Sequence, residues 1–185
     1  MRTPLFLGWV ILAAAGPAGA QSAPLEPPGA QVAALDVALY NARATAQAAT
    51  DTMPARLATE VLHATLAELL SEQLADSARV AAAARSDVAL AAAGERPCNV
   101  VVDCARAVGR AVDARWVVLA KMGKVAAVWL LTAQLVHVPT GTIVIDDSTE
   151  LTGQEAMVRA GARNLGRRVA RAVRAGGVAS NFPTP

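Results

Sequence analysis

Apolar and polar residues follow two different spacings along this chain. Alternation, which is typical of strands, covers residues 32–40, 78–83, 116–120, 125–138 and 142–145. Apolar residues recur every three or four positions, as in amphipathic helices, over residues 53–74, 105–112 and 154–175. The pattern predicts an α/β (α+β) fold with a single mixed β-sheet and about three helices packed on it, in the order β-α-β-α-β-β-β-α.

Each predicted element has an apolar face that should be buried. In the first strand this face contains Leu35, Val37 and Leu39. In the longest strand it contains Trp129, Leu131, Ala133 and Leu135, with Thr132 and Gln134 on the other side. In the last helix the predicted buried line is Met157, Leu165, Val169 and Val173. The sheet is therefore expected to have helices on at least one side.

Several polar segments predict where these elements begin and end. We expect a turn at residues 121–124 and a chain reversal at Pro139-Thr140-Gly141. Asp146 and Asp147 should end the strand that follows on the solvent side. Asp103 is expected to cap the short helix. Residues 86–93 are rich in alanine and receive no element.

The N-terminal pattern predicts export. Arg2 provides a positive start, residues 5–15 form a short apolar run, and Ala18-Gly19-Ala20 offers a cleavage site before Gln21. We therefore expect a signal peptide at residues 1–20 and a Pro-rich tether at residues 21–30. A single domain should follow over residues 31–175, with a disordered tail at residues 176–185. The expected location is the periplasm.

Composition constrains the core. Hydrophobic residues make up 54% of the chain but aromatic residues only 3%. The core must therefore be built mainly from Ala, Val and Leu, which fill little volume per residue. Such a core requires helices to approach the sheet closely.

The two cysteines, Cys98 and Cys104, are expected to form a structural disulfide, because an exported protein folds where thiols are oxidised. The alternatives have less support. Two sulfurs without nearby histidines supply half of a zinc site, and five intervening residues differ from the two of thiol oxidoreductases.

Positive charge is concentrated at the C-terminus. From residue 153 onward the chain has six arginines and one acidic residue, although the whole chain has a net charge of only +2. We predict a partner-binding stripe at Arg159, Arg163, Arg167 and Arg171. The partner would be an envelope protein or an anionic surface. Export and the scarcity of aromatic residues argue against nucleic acid. Pairing with carboxylates of the same chain is the alternative.

Other candidate sites are weaker. Four carboxylates could gather around a hard cation, although their spacing matches no calcium loop: Asp36, Asp146, Asp147 and Glu150. The chain has two histidines, His63 and His137, and no Gly-x-Ser-x-Gly motif that would link one to a nucleophile. Lys121 and Lys124 form a basic segment. We therefore expect no enzyme, no metal site and no cofactor.

Several short motifs together resemble an uncharacterised family of exported proteobacterial domains. The matching segments are Leu35-Asp36-Val37, Cys98…Cys104-Ala105, Val112-Asp113-Ala114-Arg115-Trp116, Lys124-Val125 and Pro139-Thr140-Gly141. Ala126 stands where that family has a serine. More remotely, the order of strands and helices is similar to the TolB N-terminal domain and the CsgG periplasmic core. The resemblance implies an accessory or assembly domain of the envelope, without a known activity.

Two functional hypotheses follow. The first is a non-catalytic exported domain that binds a partner or takes part in envelope assembly, and it predicts that the domain has no deep polar pocket. The second is a periplasmic protein that binds a small ligand or a metal. It predicts a concave site near Asp36 and the ends of the strands.

Overall fold

A computed structural model describes residues 32–39, 52–125, 128–152 and 154–177. The predicted signal peptide, the tether and residues 178–185 of the predicted tail lie outside these residues and remain predictions. Among the described helices, none is both long enough and apolar enough to cross a membrane.

The described fold is mixed α/β, as predicted. Its strands are β1 (Val32–Ala34), β2 (Ala38–Leu39), β3 (Trp116–Val125), β4 (Val128–His137) and β5 (Ile143–Leu151). Its α-helices are α1 (Thr52–Leu70), α2 (Ser77–Ala84), α3 (Asp87–Ala93), α4 (Val102–Ala111) and α5 (Glu155–Arg174). Short 3₁₀ turns cover Ser71–Gln73 and Cys98–Val100.

The strands form one mixed sheet in the order β1-β3-β4-β5, with β2 also paired to β3. β1 and β2 run parallel to β3, whereas β3, β4 and β5 are antiparallel to their neighbours. Ala133 on β4 pairs with Ala120 on one side and with Asp147 on the other. β4 is therefore central, and β5 lies at the end of the sheet.

The sheet divides the core into two clusters. On one side α1 and α5 pack against the face that contains Trp129, Leu131, Ala133 and Leu135. This confirms the predicted apolar face of the longest strand. On the other side α2, α3 and α4 pack against β1, β3 and the last residues of β4.

Glycines allow the helices to lie close to the sheet. A Cβ atom on Gly109 of α4 would lie 2.5 Å from a Cγ atom of Val138. A Cβ on Gly161 of α5 would lie 2.6 Å from a Cδ atom of Leu151. Both distances are too short for non-bonded carbon atoms, so a larger residue at either position would force Val138 or Leu151 to shift. This close approach is what a core with few aromatic residues requires.

The first predicted strand is two strands, and its predicted apolar face is wrong. Ala34 pairs with Val118, but Ala38 pairs with Lys121, so the first strand gains one residue relative to β3. That extra residue shifts the side-chain alternation. Leu35 consequently packs with the α2–α4 cluster, whereas Val37 belongs to the α1–α5 cluster.

The predicted strand at residues 78–83 is also wrong, because this segment forms helix α2. The carboxylate of Asp76 caps α2 by accepting a hydrogen bond from the backbone N–H of Arg79 at 2.9 Å. In the same way the hydroxyl of Ser86 caps α3 through Ala89 at 3.3 Å. Alanine has the highest helix propensity, so two capped alanine runs become helices.

The structure corrects the predicted boundaries around β3 and β5. Lys121 and Lys124 form no turn, since both pair with β4 inside β3. β5 does not end at Asp146 and Asp147 but continues to Leu151. The predicted reversal before β5 is present, with the N–H of Gly141 donating to the carbonyl of His137 at 2.7 Å.

Two predictions about helix residues are wrong. Asp103 does not cap α4, because the helix begins at Val102 and Asp103 already lies in its first turn. The Asp103 carboxylate lies 3.6 Å from Arg106 Nη1. Met157 is 42% exposed, while its neighbour Val158 is buried against the sheet. The buried line of α5 therefore passes through Val158, Leu165, Val169 and Val173.

Candidate functional site

The predicted arginine stripe lies on α5, and its members differ in their surroundings. Arg159 is paired within the helix, with its Nε and Nη2 atoms each 2.9 Å from Glu155 Oε1. Residues four positions apart are offset by about 40° around a helix. The stripe therefore winds across the outer surface of α5 and does not follow one straight line.

Arg163 and Arg167 are the two stripe members that most clearly face solvent. Both side chains are exposed. Within the described part of the chain, neither has a carboxylate at ion-pair distance. Arg171 is also exposed. The structure therefore leaves at least two adjacent positive charges available on a rigid helix.

Two arginines outside the predicted stripe are used within the fold. Arg168 forms an ion pair with Asp147, which lies on the α5 side of β5. Arg174 donates a hydrogen bond to the backbone carbonyl of Leu69 in the last turn of α1. A positive side chain at the C-terminal end of a helix is also favoured by the helix dipole. These contacts tie α5 to β5 and to α1.

A basic groove surrounds the C-terminal half of α5. It encloses about 420 Å³ and is lined by Leu69, Asn164, Arg167, Arg168, Ala170, Arg171 and Arg174. The lining contains four arginines and no carboxylate. The shape and charge of this groove suit an anionic group.

A larger apolar groove of about 900 Å³ lies between β2 and the N-terminal ends of α1 and α5. Its apolar lining includes Val37, Leu39, Leu57 and Val158. Its charged lining consists of Asp36, Arg56, Glu60, Glu155 and Arg159. Leu39 and Thr52 both line this groove, and residues 40–51 between them lie outside the described residues. A concave site near Asp36 is thus present, as the ligand-binding hypothesis expects.

The four candidate metal-binding carboxylates are not brought together. Asp36 follows β1, whereas the other three lie on β5 at the opposite end of the sheet. On β5 itself, Asp146 and Glu150 occupy one face and Asp147 the other. Among the described residues, no group of three His, Cys, Asp or Glu side chains could hold a metal ion.

The histidines and the basic segment have structural contacts. His63 Nε2 lies 3.3 Å from the Leu35 carbonyl and 3.8 Å from a carboxylate oxygen of Asp36. The ring of His137 is 4.7 Å from that of Trp116. The ammonium group of Lys124 lies 5.3 Å from the centre of the Trp129 ring, a cation–π distance.

Cys98 and Cys104 are joined by a disulfide, with their Cα atoms 5.2 Å apart. The bond connects the 3₁₀ turn to the first turn of α4. Between the cysteines, the side-chain amide of Asn99 donates to the backbone carbonyl of Asp36 at 2.8 Å. The small loop is thereby fixed to the segment between β1 and β2.

Sequence reasoning missed one prominent surface, the uncovered part of the sheet. Asp146 and Glu150 are exposed there, and Leu130 opposite Glu150 is 36% exposed. Residues 146–150 are all polar, so their pattern contained no clear signal for this strand. The sequence pattern could not show that α2–α4 stop short of it, because helix placement depends on long-range packing.

Comparisons with known proteins give only distant similarity. No protein-family profile and no curated protein matches the chain. Its fold is similar to the LpoB C-terminal domain from Salmonella enterica, with 19% identity, 68% of this chain and 85% of that chain covered, and a TM-score of 0.44. For E. coli LpoB the values are 18%, 80%, 82% and 0.44.

A PelC dodecamer from Paraburkholderia phytofirmans is also similar, with 15% identity, 78% of this chain and 91% of that chain covered, and a TM-score of 0.43. Identities and scores in this range describe a remote likeness of chain path and carry nothing about partner or activity. The sequence resemblance to the TolB N-terminal domain and the CsgG core remains a prediction.

Proposed function

We propose that this chain is an exported, non-catalytic domain of the periplasm that acts by binding a partner in the cell envelope. The partner would be an envelope protein that presents acidic groups to α5. The contact residues would be Arg159, Arg163, Arg167 and Arg171, with Arg163 and Arg167 at the centre.

One observation carries this proposal: Arg163 and Arg167 are exposed on a rigid helix and have no carboxylate at ion-pair distance among the described residues. Like charges four residues apart destabilise an isolated helix by a few tenths of a kcal/mol. Among the described residues, no ion pair offsets this repulsion at either side chain. A partner with complementary charge would neutralise them.

The disulfide and the N-terminal sequence support the proposed location. The Cys98–Cys104 bond is typical of an oxidising compartment. Residues 1–20 have the positive start, apolar run and small-residue cleavage site of an export signal. Both features fit a protein that meets its partner outside the cytoplasm.

Charge reversal at the centre of the stripe tests the proposal. We expect R163E/R167E to lower crosslinking to envelope proteins at least about tenfold, because each substitution replaces an attraction by a repulsion. The matched control is R79E/R85E, which makes the same charge change at two exposed positions around α2, across the sheet. Circular dichroism should show both variants folded.

Two outcomes would count against this interface. Equal crosslinking by wild type and R163E/R167E would remove α5 from it. An equal loss in R79E/R85E would show an effect of net charge alone. Vesicles with and without anionic lipid form a separate arm of the experiment. Binding that occurs only to anionic vesicles would replace the protein partner by a lipid surface.

The second candidate function is binding of a small ligand or metal in the groove near Asp36. The volume of about 900 Å³ favours it, since ligand pockets commonly have about 300–1,000 Å³. A bound ligand at 100 times its Kd should stabilise the fold by about 2.7 kcal/mol. Thermal melts with calcium, sulfate and phosphate would reveal this as a higher Tm, and a rise produced by calcium should be reduced in D36N/E60Q, which removes two carboxylates of the lining. Unchanged melting with every ion would leave this function unsupported.

A further inference from the structure

β5 is a long strand with one neighbour. Eight of its nine residues pair with β4, and among the described residues no other strand pairs with it. The backbone N–H and C=O groups along its outer side can therefore pair with another strand. Such edges are common sites of strand addition by extended peptides.

The two faces of β5 have different surroundings. On the α5 side Asp147 is paired with Arg168, and Leu151 packs against the position of Gly161. On the other side Asp146, Ser148 and Glu150 are exposed. An added strand would therefore contact a helix with one set of its side chains and open surface with the other set.

The open face of this edge is acidic. Asp146 and Glu150 are four residues apart on the same face, so their Cα atoms are separated by about 13 Å along the strand. The Gln134 side-chain amide donates to Asp146 at 3.0 Å. In the described residues neither carboxylate has a lysine or arginine at ion-pair distance. An added strand with positive charges at the same spacing would place one of them opposite each carboxylate.

The α5 side of the edge offers an apolar contact. Met157 is four residues before Gly161 and so lies on the same side of α5, the side that faces β5. Its side chain is 42% exposed. Apolar residues of an added strand that point towards α5 would cover this methionine.

Two ways of pairing the edge with a second copy of this chain are disfavoured by charge. Antiparallel pairing of two β5 strands about a twofold axis centred on Asp147 places that aspartate opposite itself. Pairing centred on Ser148 places Asp146 opposite Glu150 twice. Like charges directly opposite each other destabilise strand pairs. The acidic edge therefore favours a positively charged strand over these two self-pairings.

We propose that the outer edge of β5 binds an extended segment of a partner protein that carries Lys or Arg at two positions four residues apart. Apolar residues occupy the alternate positions and face α5. The segment adds a strand to the sheet, with backbone hydrogen bonds giving affinity and the two charge pairs fixing the register. This site is separate from the arginine stripe.

A synthetic peptide tests the proposal directly. A fluorescent peptide with Lys-Val-Thr-Val-Lys at its centre places lysines opposite Asp146 and Glu150. We expect saturable binding by anisotropy and shifted amide NMR signals along β5. D146K/E150K should weaken binding about tenfold, or about 1.4 kcal/mol. The matched control E68K/E72K changes two exposed acidic residues, one in the last turn of α1 and one in the 3₁₀ turn after it, and should bind within twofold of wild type.

Two further peptides decide the mode of binding. Replacing the central threonine by proline removes a backbone donor from the added strand, and binding should be lost. The peptide Glu-Val-Thr-Val-Glu should bind D146K/E150K better than wild type. The proposal is overturned if the proline peptide binds as well as the original, or if E68K/E72K weakens binding as much as D146K/E150K. No saturable binding to well-folded wild type would also overturn it.

Discussion

The L131A variant is expected to lower the free energy of unfolding by about 3 kcal/mol, within the usual range for a buried leucine. Leu131 lies in the central strand β4, and its side chain is fully buried on the side covered by α1 and α5. Removing three carbon atoms there leaves a cavity that the surrounding sheet cannot close. Urea unfolding followed by circular dichroism measures the loss.

The L130A variant is the matched control. Leu130 is the adjacent residue on the same strand, but it points to the opposite face and is 36% exposed. Its truncation should cost only about 1 kcal/mol, because about a third of this residue already meets water and its loss encloses no cavity. Equal losses in the two variants would contradict the assignment of a covered and an open face to β4.

Replacing both cysteines, as C98S/C104S, is expected to lower the free energy of unfolding by about 2 kcal/mol. The bond closes a small loop, with a sequence separation of 6, so its effect on the unfolded chain is at the low end for disulfides. Cys104 is fully buried, and a serine there adds a polar group to the α2–α4 cluster. Thermal unfolding should show a Tm lower by several degrees.

Reduction of the wild-type protein provides the control for this variant. A reductant should lower the Tm of wild type towards that of C98S/C104S and leave the variant itself unchanged. A wild-type Tm that does not respond to reduction, together with an unchanged Tm in the variant, would contradict a stabilising role for the bond.

Long, strongly alternating segments could be predicted from the sequence. The face of β4 that contains Trp129 and Leu131 was correctly identified because large apolar residues occupy every second position. The reversal at residues 139–141 was also predicted, since proline and glycine favour turns. Residues that are neighbours in the sequence determine both features, and the tertiary structure has the strand face and the turn that they predict.

Other features depended on contacts that a local pattern does not contain. The extra residue between Ala34 and Ala38 shows only in the pairing with β3. Helix α2 contains Val80 as its only large buried residue, so the spacing of its apolar residues did not distinguish a helix from a strand. The capping hydrogen bond of Asp76 is a feature of the structure that favours the helix. In both segments the apolar pattern was too short to distinguish the alternatives.

The candidate site also has one feature that the sequence could predict and one that depends on tertiary contacts. The concentration of arginines in the last helix could be recognised from the sequence, because charge is a local property. Which of them is neutralised could not be recognised. The pairing of Arg168 with Asp147 depends on the register of β5 and on the position of α5 over the sheet.

The shared direction of α1 and α5 has an electrical consequence. Their first turns border the same groove, and Arg174 reaches Leu69 at their far ends. Because the peptide dipoles of the two helices point the same way, their fields add. The partial negative charges of their last turns therefore lie at the same end of the helix pair, and Arg171 and Arg174 place positive charge at that end.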